Sequence, residues 1–326
     1  MKPTDVIVVG AGWTGLTAAS RLAVRGVSVI VLDKARGPGG RSSTRREGQF
    51  SFDHGAQYFT ARSEAFRRRV EAWEGSGLVA EWQPRLRVFG PRPDGGTGSP
   101  DGRLVAVPGM NGLLKRFAKG LDCRYSSRVA SARFNGRWQL ELEDGTGLDS
   151  AALLLTAPPQ QSATLLGAEH PLHGQLKEVV MLPCWALLLG YERSVQADFD
   201  AAFVNRGGLA WIARNSNKPK RAAAETWVVH ASAQWSTEHL EEEAGRVAQL
   251  MLRELQQLEP AFDNGPTVQR AHRWRYALAD KPLSAGCLLD GETRLAVAGD
   301  WCSGSRIEGA WSSGVAAARR LEPLAI

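Results

Sequence analysis

Continuous apolar runs open and close this chain, and between them the pattern switches to alternation. Val6-Ile7-Val8-Val9 is apolar at every position, which predicts a strand covered on both faces. Leu16 to Leu22 reads as a helix and Val27 to Leu32 as the next buried strand. Near the other end, Leu295-Ala296-Val297-Ala298 repeats the buried-strand pattern, and Val315 to Leu321 follows as a helix rich in small residues. Cys123-Arg124-Tyr125, Val129 to Ala132, Trp138 to Leu142 and Ala152 to Thr156 carry strand signals, the middle pair joined at Asn135-Gly136 as a hairpin. Ala157-Pro158-Pro159 stops the last of them. Trp185 to Tyr191, Leu209 to Arg214 and Thr226 to His230 alternate apolar with polar, predicting an antiparallel sheet with one wet face. From about Thr237 to Leu258 the spacing predicts one helix. Leu240, Ala244, Val247, Met251, Leu255 and Leu258 share a face, and Glu241-Glu242-Glu243 fall early, where negative charge suits the helix dipole.

These elements predict an α/β nucleotide-binding domain assembled from scattered segments, with a second, mixed or antiparallel-sheet domain inserted: an α+β two-domain chain. The expected boundaries are residues 1–58, 107–160 and 286–326 for the first domain, and 59–106 with 161–285 for the second. Residues 59–106 hold a basic helix and two short strands around a hairpin tip at Pro91-Arg92-Pro93-Asp94-Gly95-Gly96. Arg67-Arg68-Arg69 belong to that helix, whose Phe66, Val70 and Trp73 keep helical spacing, so the arginines read as its solvated face. Pro108 to Leu114 leads back to the first domain and begins a helix.

The first strand runs directly into Gly10-Ala11-Gly12-Trp13-Thr14-Gly15. Gly10 allows a tight turn, Gly12 lets the backbone approach a diphosphate, and Gly15 lets the helix pack against the strand. Unpaired N–H groups in the first helical turn attract the anion. Asp33, with Lys34 beside it, ends the second strand 18 residues after Gly15, the place of a carboxylate that holds a ribose. Gly39, Gly40, Arg41 and Ser42 add a second glycine–arginine element: bare backbone for a second phosphate or a ribityl chain, and a forked cation for its charge. A plain nicotinamide site does not need this element, and it points to FAD. At the far end, Gly299-Asp300 follows a buried strand, and Asp300 is expected to accept a ribityl hydroxyl. Ile307, Glu308, Gly309 and Ala310 then open a helix whose N-terminus suits the negative charge of reduced flavin. Thr156 and Val129 complete the expected cofactor contacts, the latter through backbone groups offered to adenine.

Composition narrows the class. With 43% hydrophobic and 23% charged residues in 326, the chain is expected to be globular. No apolar run reaches membrane-spanning length. The first strand begins where a leader would lie, so the expected location is cytoplasmic. Cys123, Cys184, Cys287 and Cys302 show no metal spacing, and no metal is expected. A net charge of +6 suits a phosphate-bearing cofactor and is too diffuse to argue for nucleic acid.

Taken together, the glycine fingerprint, the Asp33–Arg41 extension, Asp53-His54-Gly55-Ala56-Gln57-Tyr58 and the Gly299–Gly314 segment resemble the flavin amine oxidase superfamily, and within it the renalase-like flavoproteins. The resemblance implies a Rossmann-like FAD-binding domain of the flavin amine oxidase type, with FAD held non-covalently and His54, Gly55, Ala56 and Gln57 near it. It implies oxidation of 1,2- or 1,6-dihydro isomers of NAD(P) to NAD(P)+, with dioxygen as electron acceptor and hydrogen peroxide as product. It implies site roles for Tyr58, His230, Trp274 and Asn215. Tyr58 and Trp274 are expected to wall a flat ring, and His230 and Asn215 to hydrogen-bond a carboxamide. Trp185, Trp211 and Trp311 are secondary candidates, and Arg273, Lys218, Lys220 and Arg221 are candidates for holding substrate phosphates. Three other readings stay open: an amine or polyamine oxidase, with Lys177 or Lys281 as its lysine; a desaturase; and a flavin-binding redox protein without turnover.

Overall fold

Four-residue runs of Val, Ile and Leu cannot satisfy both faces in water, and in this chain they stack side by side. The computed structural model describes residues 4–91 and 102–325. The chain divides into two compact units: Met1–Gly40, Leu113–Met181 and Ala279–Ile326 form one, and Arg41–Gly112 with Leu182–Leu278 the other.

In the first unit Val6–Val9 pairs in parallel with Val29–Leu32 on one side and Ala152–Leu155 on the other. Asp122–Arg124 and Leu295–Val297 extend the parallel sheet outward, and Leu288–Asp290 closes it antiparallel beyond Leu295–Val297. The helix Trp13–Val24 packs on the C-terminal helix Ile307–Ala325. Gly314 permits their close approach, because a Cβ there would lie 2.5 Å from the Thr14 carbonyl oxygen. Thr14 Oγ1 donates to the Ala310 carbonyl (2.9 Å) across the same seam. A separate antiparallel sheet of Val129–Asn135, Arg137–Leu142 and Gly147–Ser150 carries the hairpin expected at Asn135-Gly136, plus a third strand the sequence pattern did not announce.

The second unit is built on six neighbouring strands: Val268–Ala279, Met181–Tyr191, Glu225–Ala231, Leu209–Arg214, Ala201–Val204 and Leu86–Phe89. The pairs from Met181–Tyr191 to Ala201–Val204 are antiparallel, and Leu86–Phe89 adds in parallel at the edge. One face carries Leu187, Leu189, Trp227 and Val229, covered by Val247, Met251 and Leu255 of the helix Ala244–Leu258. The single helix expected from Thr237 is in fact two, Ala233–Glu238 and Ala244–Leu258. Glu243 explains the break: its carboxylate accepts from Arg246 N as an N-cap, so it stands before the second helix and not within one. The basic helix spans Glu64–Gly75 and buries Phe66, Val70 and Trp73 as its spacing predicts. The hairpin tip expected after Pro91 lies outside the described residues.

Two segments assigned to the cofactor domain, 41–58 and 107–112, group instead with the second unit, and 161–181 and 279–285 group with the first. The reason is pairing: Phe50–Asp53 packs on Glu225–Ala231, and Asp53 is tied by hydrogen bonds to Met110 and Asn215.

Gly314→Val forces the two helices of the first unit apart. A loss of about 1–3 kcal/mol is expected from overpacking, read as a lower melting temperature, together with weaker FAD retention after gel filtration.

Candidate active site

The glycine turn of the first unit is shaped for an anion. Gly10 has φ +114°, a conformation that favours glycine. A Cβ on Gly15 would run into the Gly10 carbonyl, whereas a Cβ on Gly12 would meet nothing within 4 Å. Gly12 therefore leaves bare backbone facing open space at the start of a helix, where N–H groups and dipole favour a phosphate. Asp33 braces this turn: Oδ2 accepts from Ala11 N (2.6 Å) and Oδ1 from Ala35 N (2.7 Å). Thr156 Oγ1 donates to the Val9 carbonyl (2.8 Å), and Gly39 N donates to the Ala11 carbonyl (3.0 Å). The second glycine element thus lies against the first, and a Cβ on Gly40 would sit 3.4 Å from Gly12 Cα. These bare positions and the braced carboxylate fit FAD's diphosphate and ribose.

The other cofactor candidates of this unit fall as follows. Trp13 is buried edge-on to Phe117, and exposed Lys34 donates to Gln161 Oε1 (3.3 Å). Val129 has its backbone in the ladder opposite Leu142. Asp300, 5% exposed, opens a short 3-10 turn directly after Gly299. Ile307, Glu308, Gly309 and Ala310 form the first turn of the C-terminal helix. Ser313, which no motif singled out, joins strand end to helix: its Oγ accepts from Gly299 N (3.0 Å) and donates to the Gly286 carbonyl (2.6 Å).

In the second unit a charge cluster is sealed from water. Asp53 is 0% and Lys218 2% exposed. Asp53 Oδ1 accepts from Thr44 Oγ1 (2.7 Å) and Met110 N (2.9 Å), and Oδ2 accepts from Arg221 Nε (2.9 Å). Lys218 Nζ lies 3.8 Å from Asp53 Oδ2 and donates to Gln57 Oε1 and Asn215 Oδ1, each at 3.1 Å. Burial opposes ionisation of Asp53, but Lys218, Arg221 and the two hydrogen bonds win and hold its carboxyl below the usual range. Burial pushes the Lys218 ammonium down to about 7, against the pull of Asp53. Lys218 and Arg221, candidates for substrate phosphate, are therefore internal counterions of Asp53. Arg273 bonds Leu240 and Glu241, and Lys220 remains exposed.

Beside this cluster an open recess of about 320 Å³ is lined by Gly55, Ala56, Gln57, Tyr58, Phe203, Ala210, Trp211 and His230. Tyr58 and Trp211 lie with ring centroids 5.6 Å apart, and Phe203 meets Trp211 at 4.8 Å. His230 Nε2 bonds the His54 carbonyl (3.2 Å), which also accepts from Trp274 Nε1 (2.9 Å). His54 stacks on Trp274 (4.9 Å, 29°) and meets His272 edge-on (4.7 Å). Burial, the main cause in each case, lowers His54, His230 and His272 to about 4, so all three are neutral at pH 7.

The structure thus brings Tyr58 and His230 to one recess and corrects the expectation for Asn215. The Trp274 ring stacks on His54 and lies beside Gly55 of the lining, 3.3 Å from where a Cβ there would sit, and Trp211 is among the lining residues. Asn215, 0% exposed, is withdrawn from substrate: its Oδ1 accepts from Lys218 and Asp53 N, and its Nδ2 donates to the Ser51 carbonyl (3.0 Å). Arg41 donates through Nη1 to the Ala277 carbonyl (3.0 Å), buried Ser42 follows it, and the Arg41 carbonyl accepts from Ala56 N (2.8 Å).

Asp33→Ala unbraces the glycine turn, and FAD affinity measured by fluorescence titration is expected to fall about tenfold or more, the scale of one charged hydrogen bond. The three histidines carry pKa values lowered from 6.5 to about 4, so the unfolded chain takes up their protons first. The histidines' share of stability is then undiminished above about pH 6.5 and is lost as pH falls towards 4, whereas Lys218, lowered from 10.5 to about 7, makes its loss at higher pH, before that window. Asp53 adds its own loss only as pH falls below its ordinary 3.8. Urea midpoints at pH 7, 5.5 and 4.5 are expected to decrease in that order, and His272→Gln is expected to flatten the trend.

A model of the NAD(P)-binding Rossmann-like domain matches residues 8–72, and a model of flavin containing amine oxidoreductases matches residues 83–321. A zeta-carotene-forming phytoene desaturase of Myxococcus xanthus is 34% identical over 143 residues, 42% of this chain and 26% of that protein. The tRNA 5-methylaminomethyl-2-thiouridine biosynthesis bifunctional protein of Cupriavidus necator is 27% identical over 210 residues, 50% of this chain and 32% of that protein. The match thus spans about a quarter to a third of these relatives' length. Among solved structures, a protein from Exiguobacterium sp. 255-15 assigned as a protoporphyrinogen oxidase superposes with TM-score 0.77 at 13% identity, covering 99% of both chains. Cyclohexylamine oxidase from Brevibacterium oxydans IH-35A gives 0.74 at 13% identity, covering 98% of this chain and 99% of that one. Among the described residues no helix is long and apolar enough to cross a membrane. With the amine oxidoreductase model covering most of its length, the chain belongs to the flavin-containing amine oxidoreductase family.

Proposed function

We propose that this oxidoreductase is a renalase-like oxidase of 1,2- or 1,6-dihydro isomers of NAD(P). FAD, when bound, supplies the two-electron acceptor that receives the donor's hydride and passes the electrons to dioxygen, giving hydrogen peroxide. Gly10 to Gly15, Asp33 and Gly39-Gly40 would hold its diphosphate and ribose. The observation that carries the reading is the recess of the second unit, with aromatic walls and a neutral histidine. A dihydropyridine becomes aromatic on losing hydride, so no proton has to be removed from it. Tyr58, Trp211 and Phe203 offer flat surfaces for such a ring. His230, neutral with Nε2 donating to the His54 carbonyl, presents Nδ1 as an acceptor for a carboxamide N–H. The motif resemblance around Gly55 to Tyr58 and Gly299 to Gly314 points the same way.

Oxidation of a small amine is the second reading. It is favoured by the same aromatic walls, which can cage a neutral amine, and by the fold shared with cyclohexylamine oxidase and with putrescine oxidase (TM-score 0.71, 14% identity). Anaerobic mixing separates the two. Either dihydro-NAD isomer is expected to bleach the flavin absorbance rapidly, while cyclohexylamine and putrescine leave it unchanged. Bleaching by an amine alone overturns the proposal, and slow reduction by every donor points to a redox protein without turnover. His230→Ala is expected to raise the KM for the dihydronicotinamide about tenfold, the scale of one lost hydrogen bond, with a smaller change in kcat.

A further inference from the structure

A lysine sealed from water is expensive to keep charged, and methionine would fill the same space without that cost. Lys218 nevertheless occupies such a place, and its contacts show what the charge can do. Gln57 Nε2 donates to the Asp53 and Gly55 carbonyls, leaving Oε1 to face Lys218 Nζ at 3.1 Å. The opposite amide orientation would set an NH2 group against an ammonium and an oxygen against two carbonyls. Gln57 lies between Ala56 and Tyr58 in the lining of the recess, and Tyr58 packs on Trp211.

We propose that Lys218 is a positioning residue for the recess: its ammonium, anchored by Asp53, locks the Gln57 amide and so fixes the Gly55–Tyr58 side against which a ligand binds. The groups facing it are Asp53 from Phe50–Asp53, Arg221 from the following turn, His230 from Glu225–Ala231, the uncharged Gln57 and Asn215, and the Trp82 ring, 5.4 Å from Nζ. Arg221 and burial favour the neutral amine, and Asp53 favours the ammonium. As pH rises past about 7 the ammonium is lost, the bond to Gln57 loses its charge assistance, and the lining loosens. His230 titrates near 4 and stays neutral throughout this range.

The role is tested on 5-fluorotryptophan-labelled holoprotein, with the Trp211 resonance assigned through Trp211→Phe. Between pH 6 and 8.5 that resonance is expected to shift with a midpoint near 7 in the unaltered protein and to stay fixed in Lys218→Met. Gln57→Met removes the same link while keeping the lysine, and it is expected to abolish the shift even if Lys218→Met fails to fold. A resonance that ignores pH in the unaltered protein, or that moves equally in either variant, overturns the inference. The kinetic consequence rests on the proposed donor binding in this recess. Both single variants, and the double variant no more than either, are expected to raise its KM about tenfold with kcat within about twofold, since coupled residues do not add. A pH-dependent resonance together with no oxidation of dihydronicotinamide would remove the donor assignment and leave the role of Lys218 standing.

Discussion

A diphosphate can lie against a polypeptide only where side chains are missing and backbone N–H groups face outward. That requirement organises the first unit. Gly12 provides the bare surface, and Gly10 and Gly15 exist so that the turn exposing it can close against the helix. The parallel strands end where the turn begins, and Asp33 ties the end of one strand to the turn at the end of its neighbour through Ala11 N. Gly314 then lets the C-terminal helix approach the helix that starts at the turn. An added methyl group would collide within the protein at Gly10, Gly15 and Gly314, and at Gly12 it would fill the space left for the diphosphate.

The second unit answers a different constraint, the desolvation of charge. One carboxylate, Asp53, is shared by a guanidinium and an ammonium, with Thr44 and Met110 N completing its bonds. Removing one partner would leave the others buried and mismatched, a situation that costs several kcal/mol, on the order of 3–5, in well-buried pairs. The cluster therefore holds three separate stretches of chain together more specifically than apolar contacts would: Phe50–Asp53, the turn at Met110, and the loop from Asn215 to Arg221.

The sequence disclosed these two constraints unequally. The turn, Asp33 and the C-terminal segment were legible because their chemistry is local: strand, glycines and acid follow one another at fixed spacings. The charge cluster was not, because Asp53 and Lys218 are neighbours only through the fold, and a lysine followed by Lys220 and Arg221 reads as a holder of substrate phosphate. The place of Trp211 in the recess was hidden for a similar reason. Eleven tryptophans give no local signal for which one stacks on a histidine and which one faces a recess. The helix expected from Thr237 went astray because helical spacing continued through Glu243, whose capping role depends on a single backbone dihedral, ψ 135°.

Neutral histidines and a half-titrated lysine are unusual company for a reaction that moves protons. A general base serves best with a pKa near the working pH and with access to the proton it removes. His230 has the access but sits near 4; Lys218 sits near 7 but its nitrogen is closed in by Gln57, Asn215 and Asp53. Neither combination suits proton abstraction from a cationic amine. Both suit the proposed donor, which releases hydride alone and asks for a flat surface and a fixed orientation. The recess supplies the surface through Tyr58, Trp211 and Phe203, and the inferred lock on Gln57 would supply the orientation through its Gly55–Tyr58 edge.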